Sequence, residues 1–239
     1  MAKRGQLFVI SGPSGAGKSF IVKELLSRNL DLHLSVSCTT RKPREGEIDG
    51  VHYHFVDNDR FDELLASNAF YEWAQVHGNR YGTLRSVVAA EIDKGHDLIL
   101  EIDVQGGGNV ARENPDITTR IFVCPPSFAN LSKRLADRKS ETEQQRMTRM
   151  NGVARELAEG HNYDYVIIHE DWNKIPDAMQ IATNEIASII IAKRAAVPGN
   201  DIPADVAAKA NEIAKQCETK GRLDFLDARR AEAQAELNQ

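Results

Sequence analysis

The stretch that decides the fold lies near the amino terminus and reads Gly12-Pro13-Ser14-Gly15-Ala16-Gly17-Lys18-Ser19. A short apolar run, Leu7–Ile10, precedes it, and apolar residues at helical spacing follow it at Ile21, Val22, Leu25 and Leu26. This pattern predicts a buried strand, a glycine-rich turn and an amphipathic helix. The three elements in this order are typical of an α/β fold.

Further apolar runs occur along the chain at Asp97–Asp103, Thr119–Val123 and Tyr165–Ile168. Helical patterns separate them, and these include Ser86–Lys94 and Phe128–Arg138. Strands that alternate with helices predict a parallel sheet covered by helices on both faces, a core of three layers.

Two polar stretches interrupt this alternation, and we expect both to be insertions that carry function. Residues 37–84 are rich in Arg, Tyr and Gly, and residues 134–155 are strongly charged. The predicted main domain spans 6–195. A Pro- and Gly-containing linker opens the tail 196–239, in which apolar residues at helical spacing predict a helical extension.

Composition excludes several classes of protein. The 239 residues carry a net charge of −5, which disfavours general nucleic-acid binding because affinity for the phosphate backbone comes from basic side chains. The apolar run near the amino terminus is too short for a signal peptide or a membrane span. Three scattered cysteines suggest neither a disulfide framework nor a zinc site, so we expect a cytoplasmic protein with no membrane partner.

The glycine-rich stretch fits Gly-x4-Gly-Lys-Ser/Thr at every fixed position. Such a loop turns successive backbone N–H groups toward phosphate oxygens, at the positive end of the helix that follows. Lys18 is expected to reach the β- and γ-phosphates, and Ser19 to hold Mg²⁺. The pattern therefore predicts a nucleoside triphosphate site, but not which reaction the protein catalyses. Its members are Gly12, Ser14, Gly15, Ala16, Gly17, Lys18 and Ser19.

Five downstream segments narrow the choice, because their residues resemble those of the guanylate kinases. The resemblance runs from about Gln6 to about Lys193, and it implies a Mg²⁺-dependent transfer of phosphate from ATP, the co-substrate, to GMP and dGMP. It rests on Ser37–Glu47, Gly50–Tyr53, Phe70–Ala74, Gly78–Thr83 and Leu100–Gly106.

The chemistry of these segments suits a nucleoside monophosphate. Arg41 and Arg44 lie three residues apart, and guanidinium groups bind phosphate oxygens in a fork geometry. Tyr53 and Tyr81 can add hydroxyl donors. The resemblance assigns guanine recognition to a carboxylate, Glu72, which would accept the N1–H and N2–H donors that adenine lacks. It adds further base contacts and strand-end carboxylates to the GMP site, namely Ser37, Thr83, Glu101 and Asp103.

The charged insertion 134–155 is interpreted as a lid over ATP. By resemblance, Arg138 and Arg149 contact the phosphate in transfer, and Arg134 contacts adenine or phosphate. Lys18 and Arg44 complete the predicted catalytic set. A general base is not required, because the attacking oxygen of GMP belongs to a phosphate that is already ionised.

Three residues depart from the family pattern. Glu101 stands where an aspartate is expected, His169 where an asparagine is frequent, and Arg80 where a tyrosine is frequent. Asp103 follows the same predicted strand as Glu101, and two roles are open for it: orienting the water of Mg²⁺, which would make it a metal-site residue with Ser19, or contacting the guanine edge.

Two other functions compete with this interpretation. Another nucleotide or sugar-phosphate kinase would share the phosphate loop but not the set Ser37, Glu72 and Thr83. A non-catalytic, peptide-binding relative would typically have lost Lys18 and Ser19, which are present here. The tail has three open roles: packing on the core, self-association into a homo-oligomer, or movement as a free segment.

Overall fold

The chain alternates strands and helices, as the sequence predicts. A computed structural model describes residues 4–28, 30–76, 78–136, 152–171 and 173–237. The strands are β1 (Leu7–Ser11), β2 (Leu32–Leu34), β3 (Cys38–Thr39), β4 (His54–Phe55), β5 (Phe70–Val76), β6 (Asn79–Leu84), β7 (Asp97–Glu101), β8 (Thr118–Cys124) and β9 (Tyr165–Ile168). The helices are α1 (Lys18–Ser27), α2 (Asn58–Ala66), α3 (Arg85–Asp93), α4 (Val104–Glu113), α5 (Phe128–Ala136), α6 (152–159), α7 (Ala178–Ala195), α8 (Ala204–Gln216) and α9 (Leu223–Leu237).

The main sheet has the strand order β2-β7-β1-β8-β9. β2 pairs with β7 and β8 pairs with β9, both in parallel. Every residue of β1 is buried, which matches a parallel strand covered on both faces. The α/β class with a parallel sheet is therefore confirmed, and so are the four predicted strands. β2 was not predicted, because three residues are too few to show a period.

Two compact units divide the described residues, the first within 1–9 and 31–119, the second within 10–30 and 120–239. In the first unit, a smaller sheet of order β4-β3-β6-β5 occupies the predicted insertion 37–84. This segment is more regular than the expected excursion, because Cys38, Phe61 and Phe70 form a buried core cluster of their own. Asp57 caps α2, where its carboxylate accepts from the N–H of Arg60 at 2.7 Å.

The second unit contains the glycine-rich turn and the tail. α8 and α9 confirm the helical pattern predicted for residues beyond 196. The carbonyl of Cys217 accepts from the N–H of Val166 at 2.8 Å, and the guanidinium of Arg222 donates to the carbonyl of Val166 at 2.6 Å. Leu226 is fully buried. The tail therefore packs against β9 of its own unit. Among the helices that the structure describes, none has the length and apolar character needed to cross a membrane.

Candidate active site

The glycine-rich turn leads directly into α1, which begins at Lys18. Gly17 precedes the helix with φ of 96°, in the left-handed region that favours glycine. A Cβ at this position would lie 2.4 Å from Nδ1 of His169. Backbone conformation and close approach therefore both require glycine here.

His169 supports this turn from within the second unit. It follows β9, is fully buried, and its Nδ1 lies 2.7 Å from the carbonyl oxygen of Ala16. That distance is a hydrogen bond in which the ring N–H donates to the carbonyl. The sequence marked His169 only as a departure from the family pattern. Its contact was not predicted because 153 positions separate the two partners.

Lys18 lies over the loop that it follows. Its ammonium donates to the carbonyl oxygens of Gly12 at 2.6 Å and Pro13 at 3.1 Å. A bound phosphate would replace these neutral acceptors with charged oxygens, which form stronger hydrogen bonds. Ser19 is exposed on the first turn of α1, where its hydroxyl can be approached from solvent. The other loop members, Ser14, Gly15 and Ala16, form the turn itself.

The predicted lid arginines are not tested by the structure. Arg134 belongs to α5, but its side chain is not among those described. Arg138 and Arg149 lie outside the described residues. Their roles therefore stay predictions.

In the first unit, Glu72 is the most distinctive group among the predicted GMP residues. It lies on β5, is 5% exposed, and its Oε1 accepts from the hydroxyl of Thr83 at 2.6 Å. Thr83 is fully buried on β6, directly opposite Glu72 in the sheet register. Burial raises the pKa of Glu72 to about 7, and the negative charge of Asp103 adds to this shift. The carboxyl group therefore titrates near neutral pH.

Gly106 allows Glu72 to approach the beginning of α4. A Cβ on Gly106 would lie 2.4 Å from Oε2 of Glu72 and 3.2 Å from Oδ1 of Asp103. Asp103 caps this helix, because its carboxylate accepts from the N–H of Gly106 at 3.1 Å and of Gln105 at 3.3 Å. Two carboxylates thus converge at a helix N-terminus, whose dipole favours negative charge. No role was predicted for Gly106, although a glycine in the first turn of a helix can indicate that another group approaches the backbone closely.

Glu47 organises the arginine-rich turn. Its two carboxylate oxygens accept from the guanidinium of Arg41 at 2.8 and 2.9 Å, and one of them also accepts from the backbone N–H of Arg44 at 2.7 Å. The Arg41 guanidinium lies 5.4 Å from the centre of the Tyr53 ring. Both predicted arginines are therefore joined to one carboxylate, for which the sequence predicts no role. The side chain of Arg44 is exposed.

The two predicted tyrosines meet edge to face, with ring centres 5.9 Å apart. Burial raises the pKa of Tyr53, and the charge of Glu101 raises it further, so its hydroxyl stays a donor at physiological pH. Ser37 is buried just before β3, which pairs with β6, the strand of Tyr81. The first unit thus gathers the predicted base and phosphate contacts around its smaller sheet.

Arg80 has a structural explanation for its departure from the family pattern. Its guanidinium donates to the carbonyl and the side chain of Asn58 and pairs with Asp62. It also lies 4.6 Å from the centre of the Phe61 ring. The side chain of Arg80 therefore links β6 to α2. Among the described residues, this side chain makes no hydrogen bond with a predicted GMP residue.

Comparison with known proteins agrees with this geometry. The family model for guanylate kinase matches residues 4–185. The guanylate kinase of Zymomonas mobilis is 45% identical over 174 residues, which cover 73% of this chain and 81% of that protein. That of Sphingopyxis alaskensis is 47% identical over 169 residues, covering 70% and 76%.

A solved structure gives the same result. The crystal structure of guanylate kinase from Anaplasma phagocytophilum matches with a TM-score of 0.66 and 31% identity, covering 80% of this chain and 87% of that one. The family match spans the phosphate loop and all predicted GMP residues. The chain belongs to the guanylate kinase family.

Proposed function

We propose that this protein transfers the γ-phosphoryl group of ATP to the phosphate of GMP or dGMP, in a reaction that depends on Mg²⁺ and takes place in the cytoplasm. The observation that carries this proposal is the buried carboxyl group of Glu72, held by Thr83. A buried acceptor discriminates strongly, because a base without donors leaves it unsatisfied. Guanine offers N1–H and N2–H at its edge, and adenine offers neither.

The first unit supplies the groups for the rest of GMP. Arg41 and Arg44 carry charge for the phosphate, and the neutral hydroxyls of Tyr53 and Tyr81 offer additional donors. Glu47 limits the freedom of Arg41, so that less entropy is lost when phosphate binds. Ser37 and Glu101 complete the proposed GMP contacts.

The second unit supplies the groups for ATP. The loop N–H groups and Lys18 stabilise charge on the β- and γ-phosphates as it develops. Mg²⁺ supplies charge neutralisation at the same phosphates when it is bound with ATP. Ser19 offers an exposed hydroxyl and Asp103 a carboxylate, and oxygen ligands of both kinds suit a hard cation. Arg134, Arg138 and Arg149 are proposed to cover ATP and exclude water.

A coupled assay of ADP release tests this proposal directly. We expect turnover with GMP and dGMP, no turnover with AMP, UMP or CMP, and loss of turnover when EDTA removes Mg²⁺. Turnover with another monophosphate would favour a different nucleotide kinase. Folded protein that binds GMP but releases no ADP would favour a non-catalytic relative.

A further inference from the structure

Three potential metal ligands from three different elements meet in the first unit. His33 lies on β2, Glu91 on α3, and His96 in the turn before β7. Each offers a ligand atom, and these atoms all lie within 4.8 Å of one another. No step of the proposed reaction uses any of the three.

The distances between these atoms resemble those within a coordination sphere. One carboxylate oxygen of Glu91 lies 2.8 Å from Nδ1 of His96 and 3.2 Å from Nδ1 of His33. Neighbouring ligand atoms around a tetrahedral zinc ion, with bonds near 2.0–2.1 Å, are separated by about 3.3 Å. The imidazole rings stack with centres 4.2 Å apart. Rotation of the partly exposed His33 ring about its Cβ–Cγ bond would turn its lone pair toward a common centre.

The position of the cluster separates it from the predicted GMP residues. His33 and His96 lie near the amino-terminal ends of β2 and β7, where Leu32 pairs with Asp97. Glu101 lies at the opposite, carboxyl-terminal end of β7, the end at which parallel sheets bind their ligands. The turn at His96 is fixed, because Gly5 packs so closely that a Cβ there would meet the His96 carbonyl at 1.9 Å.

The carboxylate of Glu91 favours a bound cation at this cluster, but the ammonium of Lys94 competes for that carboxylate. Glu91 brings a carboxylate within 2.8 Å of His96 and 3.2 Å of His33. The ammonium of Lys94 lies 2.7 Å from the second oxygen of Glu91 and is mostly exposed. In this position the ammonium would repel a metal ion, but the long lysine side chain can move into solvent.

We propose that His33, Glu91 and His96 form a binding site for a transition-metal ion such as Zn²⁺ or Co²⁺. Two imidazoles and a carboxylate make a three-ligand set that leaves a position for water, and imidazole selects these ions over Mg²⁺. The ion would join β2, α3 and the turn before β7. It would therefore stabilise the folded chain without changing phosphoryl transfer.

Titration of the tag-free, chelator-treated full chain with Co²⁺ tests this site, with visible absorption as the readout. We expect one equivalent to bind in the presence of excess Mg²⁺, and Zn²⁺ to displace it. His33→Ala, Glu91→Gln and His96→Ala should each weaken binding by about tenfold or more, since even the loss of an outer-shell partner costs that much. His161→Ala is the matched control, because that histidine pairs with Asp227 at 3.0 Å and belongs to no three-ligand cluster among the described residues.

Lys94→Met gives an independent test that does not depend on removing a ligand. It deletes the competing ammonium from an exposed position, so Co²⁺ affinity should increase. ADP release in Mg²⁺ without Co²⁺ should match the unaltered protein in every variant, which shows that each is folded. Absence of a one-equivalent Co²⁺ signal, or a signal that survives all three ligand substitutions, would overturn the assignment.

Discussion

The phosphate loop and the GMP region are built in opposite ways. The loop uses consecutive residues, 12–19, and the contacts proposed for it are mainly backbone N–H groups that point toward phosphate. The proposed GMP region uses side chains that are far apart in sequence, from Ser37 to Asp103. The smaller sheet and its turns carry those up to Thr83, whereas Glu101 ends β7 of the main sheet and Asp103 follows it. A site made of consecutive backbone groups can be recognised in the sequence as a short motif. A site made of distant side chains cannot, because strand register decides which of them come together.

The two regions also differ in their energetics. In the loop, Lys18 satisfies its charge on neutral carbonyls close to solvent. In the proposed GMP region, Glu72 is buried and its pKa is raised to about 7, so the ionised form that we propose to bind guanine is disfavoured in the ligand-free protein. We therefore expect substitution of Lys18 to affect only function, and substitution of Glu72 to affect function and stability in opposite directions.

Lys18→Ala should give the largest effect. Removing the charge that acts on the transferred phosphate should lower kcat by at least ~10²-fold. GMP affinity, measured by calorimetry, should not change. Lys23→Ala, on the exposed face of the same helix, is the matched control and should keep full activity. Near-normal turnover in a folded Lys18→Ala variant would refute the loop assignment.

Glu72→Gln should damage recognition of GMP but not of ATP. The neutral amide is a weaker acceptor, and the cost should be about 1–3 kcal/mol, roughly 5- to 150-fold in KM for GMP. KM for ATP should stay constant in the same assay. Glu63→Gln, an exposed change on α2, serves as control. An unaltered KM for GMP would exclude Glu72 as the reader of guanine.

The same substitution should stabilise the ligand-free protein at alkaline pH. The carboxyl group has a pKa of 4.5 when unfolded and about 7 when folded, so the folded state holds the proton more tightly. The unaltered protein therefore loses stability as pH rises from 4.5 to 7 relative to Glu72→Gln, by on the order of 1–3 kcal/mol. Urea denaturation at about pH 5 and about pH 8 measures this difference. A constant difference between the two proteins would show that the carboxyl group is not perturbed.

His169→Ala should have the smallest effect, and only on the ATP side. It removes the hydrogen bond to the Ala16 carbonyl and leaves space behind Gly17. One hydrogen bond is worth about 0.5–1.5 kcal/mol, so KM for ATP should increase about 3- to 10-fold. KM for GMP is the internal control. A rise in both constants would indicate general loss of structure instead of a loosened loop.

Much of the fold could be predicted because its signals are local. Four buried strands appear as apolar runs, and the phosphate loop is contiguous. β2 could not be predicted, since the three residues Leu32–Leu34 are too few to show a repeating pattern. The small sheet within 37–84 was not predicted either, because β3 and β4 have only two residues each and polar residues interrupt the apolar pattern of β5 and β6.

The candidate site was predicted by resemblance more than by pattern. Glu47, Gly106 and His169 have contacts that depend on backbone geometry or on partners distant in sequence. The sequence does contain a signal for Gly106, because this glycine lies in the first turn of a helix. Nothing local distinguishes Glu47 from the other acidic residues of its turn.

Hydrogen exchange with each ligand alone tests the central claim that each unit carries the groups for one substrate. GMP should protect amides within 37–84, and a non-hydrolysable ATP analogue should protect amides within 12–28. The lid 134–155, which lies largely outside the described residues, is predicted to follow the ATP analogue, and α8 should respond to neither ligand. Both ligands together should give the fullest protection, because exclusion of water matters only when transfer can occur. Equal protection of both segments by either ligand alone would contradict the account.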